Sequence, residues 1–121
     1  MAFGATATIT VNAVAKVLNR INQDNYGSEY YLRTSTEVYR MKIRHSKESP
    51  RSDGSVFDRH NVEITHTILA TGGSPEVTRV NSYTNRTLAS DDIVESGYLF
   101  AGFVDYLDNA TVQDNLLTWQ S

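Results

Sequence analysis

The feature that most constrains this chain is a change of period near residue 89. Up to Leu88 the apolar residues recur every second position. After Ser90 they recur at helical spacing. Period two places successive side chains on opposite faces of a strand, whereas a 3.6-residue period gathers them into one stripe of a helix. The first two-thirds of the chain is therefore read as antiparallel strands and the last third as helices, an α+β arrangement.

The clearest strand is Glu37 to His45. Tyr39, Met41 and Ile43 point one way, and Arg40, Lys42 and Arg44 point the other. Arg59 to Ile68 repeats the pattern: His60, Val62, Ile64, His66 and Ile68 share one face, and Arg59, Asn61, Glu63, Thr65 and Thr67 share the other. Upstream, Thr6 to Val11 alternates, Asn12-Ala13 suits a tight turn, and Val14 to Arg20 reads as the returning strand. Asn22 to Gly27 is turn-like, and Tyr30 to Leu32 begins another extended piece. Lys47 to Asp58 reads as a loop, with Pro50, Gly54 and mixed charges. Gly72, Gly73 and Pro75 make Ala70 to Glu76 a connector before a strand at Val77 to Leu88. One domain is expected over residues 1–121, divided into a hairpin (1–21), a sheet (27–89) and helices (90–121).

In the last third, Ser90 suits a cap, and Asp91, Asp92 and Glu95 suit the positive end of a helix dipole. Ile93, Gly97, Phe100, Val104 and Leu107 then fall on one stripe, with Tyr98, Phe103 and Tyr106 beside it. Thr111 with Asp114 resembles a capping box for a second short helix carrying Val112, Leu116 and Leu117. One helical stripe is little cover for a sheet of this size. A dimer in which each helix packs on the other subunit would bury the remainder.

Charge is segregated in the same way. The net charge is −3, yet residues 91–121 hold 6 acids and no Lys or Arg, while residues 1–90 hold 11 bases and 8 acids. Seven of those bases fall in residues 33–59 (Arg33, Arg40, Lys42, Arg44, Lys47, Arg51 and Arg59). Such a chain can present one basic face and one acidic face. Without cysteine it has neither disulfides nor thiolate metal sites. No run of 18 apolar residues suggests a membrane span. The start of the chain lacks the basic and apolar regions of a secretory signal, so a cytoplasmic chain is expected. Without such a signal, Asn85-Arg86-Thr87 and Asn109-Ala110-Thr111 fit a glycosylation pattern that has no expected use.

Catalysis finds little support. His60, Glu63 and His66 are close in sequence, but strand parity puts Glu63 on the opposite face from both histidines. The histidines flank Val62 and Ile64 and read as hydrogen-bonded residues of an apolar face rather than metal ligands. No nucleophile elbow, phosphate loop or metal-spaced ligand set appears. No cofactor is expected.

The order of elements resembles the coat proteins of the single-stranded RNA bacteriophages, the levivirus group typified by phage MS2. Ile43-Arg44-His45-Ser46 is similar to that family's apolar-Arg-Gln-Ser strand ending. Ser82-Tyr83-Thr84-Asn85 is similar to its Ser-Tyr-x-Asn, and Asp92 to Gln120 has the length and place of its terminal helix pair. The resemblance implies an N-terminal hairpin, a five-stranded antiparallel sheet and two helices. Two chains would join as an intertwined homodimer with a ten-stranded sheet. Dimers would form an icosahedral shell in the virion, assembled in the host cytoplasm. The inner sheet face would bind an RNA hairpin that serves packaging and repression of the replicase. It further implies an RNA-binding set of Arg40, Lys42, Arg44, Arg59, Asn61, Tyr83 and Asn85, with Tyr83 stacking on an unpaired base. Arg40, Lys42, Asn61 and Glu63 depart from the Thr, Ser, Thr and Lys of the best-known member, so its adenine pocket is not reproduced. The alternatives are a non-viral dimeric RNA-binding protein and a small α+β dimeric enzyme.

Overall fold

The computed structural model describes residues 3–120, which form two compact units divided after Arg86. The first unit is built on β1 (Thr6–Val11), β2 (Val14–Asp24), β3 (Gly27–Arg33), β4 (Glu37–Lys47), β5 (Phe57–Ile68) and β6 (Val77–Leu88), whose last two residues fall in the second unit. They form one sheet in the order β1-β2-β3-β4-β5-β6. The sheet thus has six strands, not the five expected behind a separate hairpin.

The reason lies in β2, which serves two partners in succession. Its first half pairs with β1, from Val11↔Val14 to Thr6↔Asn19, and its second half pairs with β3, from Asn19↔Tyr31 to Asp24↔Gly27. A bulge between Arg20 and Asn22 interrupts the β3 pairing just past Asn19, the residue that pairs with both neighbours, and a bulge bends and twists its strand. The hairpin is therefore continuous with a curled sheet. Asn12 and Ala13 close it with φ of 50° and 62°, the left-handed geometry that a two-residue hairpin turn requires.

Alternation then sorts the two faces. Leu18, Tyr30, Tyr39, Met41 and Ile43 form the buried core, with Ala7, Ile9, Val11, Leu32, Val62 and Ile64 packed against it. The hydroxyl of the buried Tyr30 donates to the Gly4 carbonyl at 2.5 Å. A buried hydroxyl needs such a partner, and this bond ties the start of the chain to β3.

The second unit contains α1 (Ile93–Leu107) and α2 (Ala110–Leu117). The cap of α1 is Asp92 rather than Ser90: its carboxylate accepts from the backbone N–H groups of Val94 at 2.8 Å and Glu95 at 3.1 Å. The cap of α2 is Asn109, whose side-chain oxygen accepts from Thr111 at 2.9 Å and Val112 at 3.2 Å. Neither helix holds a buried residue, and Ile93, Leu117 and Trp119 are 88%, 81% and 93% exposed. No described helix is long and apolar enough to cross a membrane.

Candidate nucleic-acid interface

The sheet face opposite the core is built around the even-numbered residues of β4. Register places Arg40 between Tyr31 and Thr65, Lys42 between Glu29 and Glu63, and Arg44 between Gly27 and Asn61. Arg59 lies opposite Ser46 on the same face. The structure thus brings Arg40, Lys42, Arg44, Arg59 and Asn61 together.

Each of these side chains is held differently. The Arg40 guanidinium pairs with Glu29 and lies 4.9 Å from the centre of the Tyr31 ring. A guanidinium on an aromatic face is oriented by the ring quadrupole. Arg44 folds across Gly27 and donates to the carbonyls of Ile43 at 3.1 Å and Ser28 at 3.4 Å. It fits because residue 27 has no side chain: a Cβ there would stand 2.5 Å from the guanidinium and 2.5 Å from the Ile43 carbonyl. Among the described residues no ion pair joins Glu63 to Arg40 or Lys42. Glu63 therefore remains an acid on a basic face.

Asn61 is turned toward β6. Its amide nitrogen donates to the Ser82 hydroxyl at 2.9 Å, the Thr84 hydroxyl at 2.9 Å and the Tyr83 carbonyl at 3.2 Å. These contacts occupy its N–H groups and leave the side-chain oxygen as its free edge. They also fix the parity of β6. Ser82 and Thr84 face the basic side, so alternation sends Tyr83 and Asn85 to the other face. The structure does not bring Tyr83 and Asn85 to the stripe on which the sequence reading had placed them.

In their place stand residues that the sequence reading left out. Tyr31 is an aromatic residue of this face, since its neighbour Tyr30 points into the core. Adjacent tyrosines in a strand must face opposite sides, which is the signal that could have found it. Arg86 follows Ser82 and Thr84 in phase. Its Nε and Nη2, along one guanidinium edge, donate to the two carboxylate oxygens of Glu48, and it lies 5.4 Å from the Phe57 ring, which Arg51 approaches at 4.2 Å. Arg86 holds the Glu48 carboxyl below its usual range, and Glu48 raises Arg86 in turn. Arg33, Arg40, Lys42, Arg44, Arg59 and Arg86 thus stand against Asp24, Glu29, Glu48 and Glu63, leaving this face positive.

A shallow depression of about 110 Å³ lies on this face, lined by Val38, Arg40, Lys42, Glu63, Thr65 and Thr67. It is much smaller than the roughly 300 Å³ at which small-molecule sites begin. The other face carries polar pairs of its own. Glu37 accepts from Lys16 at 3.0 Å and contacts His66 at 2.7 Å, while the His66 ring stacks on Tyr39 at 4.2 Å. His66 and Lys16 hold the Glu37 carboxyl down at about 2. Burial, then the Glu37 contact, pushes the Tyr39 phenol up. His45 and His60 meet ring to ring at 2.9 Å. His60 and His66 are therefore hydrogen-bonded on the apolar side, and Glu63 lies across the sheet from both.

The fold is thus an antiparallel sheet with one basic face, followed by two helices that bury nothing of their own. Residues 4–88 match the family described as phage phiCb5, coat protein, and the chain belongs to that family. It is a phage coat protein, a structural capsid protein rather than an enzyme. A solved structure described as the virus-like particle of Beihai levi-like virus 21 shares its fold. That structure has 15% sequence identity and a TM-score of 0.68, over 97% of this chain and 95% of that one. No curated protein matches. Family membership removes the non-viral reading, and a coat protein has its place in the virion.

Proposed function

We propose that this coat protein assembles as homodimers into an icosahedral shell and holds genomic RNA hairpins on the basic face of its sheet. Binding there would serve packaging and repression of replicase translation. The observation that carries this reading is the convergence of Arg40, Lys42, Arg44 and Arg59 on the face opposite the core. Lys and Arg contacts to phosphate supply most of the affinity of such a surface and make it salt-dependent. Tyr31 offers a ring on which a base can stack, and the free oxygen of Asn61 can accept from a base edge. Tyr83 and Asn85 lie outside this contact set, because their strand parity faces them away.

The dimer rests on the helices. Phe100, Phe103 and Val104 of α1 remain 41%, 48% and 41% exposed, as do Leu116 and Leu117 of α2 at 62% and 81%. Apolar surface of this extent marks an interface. A second copy offers a sheet of the same kind, and mutual coverage gives the closed twofold contact common among oligomers. Joining the sheets edge to edge would yield a continuous sheet across the dimer.

Alanine substitution of Arg40, Lys42 and Arg44 tests the RNA assignment. The triple variant should form dimers and particles but retain several-fold less RNA, read from the ratio of absorbance at 260 and 280 nm. Unchanged RNA content in intact particles would refute it.

A further inference from the structure

The geometry points to a two-histidine transition-metal site on the core side of the sheet, formed by His45 and His60. It lies on the face away from the proposed RNA surface and does not depend on that reading.

His45 and His60 are direct cross-strand partners on β4 and β5. Their Nδ1 atoms are 2.9 Å apart, and their rings meet edge to face at 70°. The metal-free pair holds together only while one ring donates and the other accepts. A dication bound at about 2.0–2.1 Å from each nitrogen would span a separation a few tenths of an ångström wider than the one observed. The two strands therefore already hold both ligands near chelating geometry, and one ion can replace the shared proton.

The surroundings suit an open site. The two rings line a pocket of about 160 Å³ together with Tyr26, Ser46, Lys47 and Asp58. Asp58 now accepts from Lys47 at 2.8 Å, and the Lys47 side chain is 72% exposed. Lys47 can therefore swing into solvent and leave the carboxylate for the ion. Among the described residues no three metal-ligating side chains already converge. The coordination is thus two imidazoles, completed by water or by Asp58. Imidazole nitrogens select Zn²⁺, Ni²⁺ or Cu²⁺ over the oxygen-seeking Ca²⁺ and Mg²⁺.

The test uses the purified full-length protein in its assembled form. Equilibrium dialysis against Zn²⁺ or Ni²⁺ should show one ion per chain. His45→Ala and His60→Ala should each weaken binding on the order of tenfold or more, since even outer-shell changes cost that much. His66→Ala should leave binding unchanged. Because a variant can fail to assemble, Cu²⁺ added below one equivalent to the unaltered protein provides a second reading. Its electron paramagnetic resonance spectrum should carry hyperfine structure from two imidazole nitrogens. Binding unchanged by both His45→Ala and His60→Ala, or lost equally in His66→Ala, would overturn the site. So would a copper spectrum with one nitrogen or none.

Discussion

Replacing Glu37 by Gln isolates the most heavily tied charge of the sheet. Its carboxylate sits between His66 at 2.7 Å and Lys16 at 3.0 Å, and these contacts bring its pKa from 4.5 to about 2. Each pH unit of that separation is worth about 1.4 kcal/mol, which sets a ceiling of about 3 kcal/mol. With 21% of the side chain exposed, screening by solvent brings the expected contribution to about 1–2 kcal/mol. The folded pKa is lowered, so this stability is fully present above pH 4.5 and is lost as pH falls toward 2. Urea unfolding of the unaltered protein and E37Q, at one protein concentration and several pH values, measures it. E37Q should be less stable by about 1–2 kcal/mol at pH 7, and the two proteins should converge near pH 2. A difference that persists unchanged down to pH 2 would show that packing, not charge, sets the role of Glu37.

Three further outcomes follow from the geometry. Leu18 is 0% exposed, so Leu18→Ala should cost about 2–5 kcal/mol in the same unfolding assay. Gly27→Ala would drive a Cβ to 2.5 Å from the Ile43 carbonyl; it should destabilise the sheet by about 1–3 kcal/mol and displace Arg44, lowering RNA retention as well. For RNA, each of Arg40→Ala, Lys42→Ala and Arg44→Ala that removes a phosphate contact should reduce the slope of log affinity against log salt by about 1, measured by filter binding.

Much of the first unit was legible because alternation on β4 and β5 is strict. Tyr39, Met41 and Ile43 face the core, and Arg40, Lys42 and Arg44 face away, as period two requires. Two features were not legible. The bulge between Arg20 and Asn22, just past the Asn19 that pairs with both β1 and β3, depends on how two hairpins share one strand, and no residue there is a Gly or Pro that would announce it. The parity of β6 depends on how the connector before it delivers the strand. A shift of one residue exchanges Ser82 and Thr84 for Tyr83 and Asn85 on the basic face. The Ser-Tyr-x-Asn resemblance supplied residue types but not that phase. The helix caps moved for a related reason: Ser90, Asp91 and Asp92 are all competent, and only the backbone path makes Asp92 the acceptor. The apolar stripe of α1 was readable from its helical period.

Electron microscopy of the purified recombinant protein, with and without added RNA, tests the central claim most directly. Closed, uniform shells that contain RNA are the predicted result. A discrete small dimer under every assembly condition, RNA included, would contradict it.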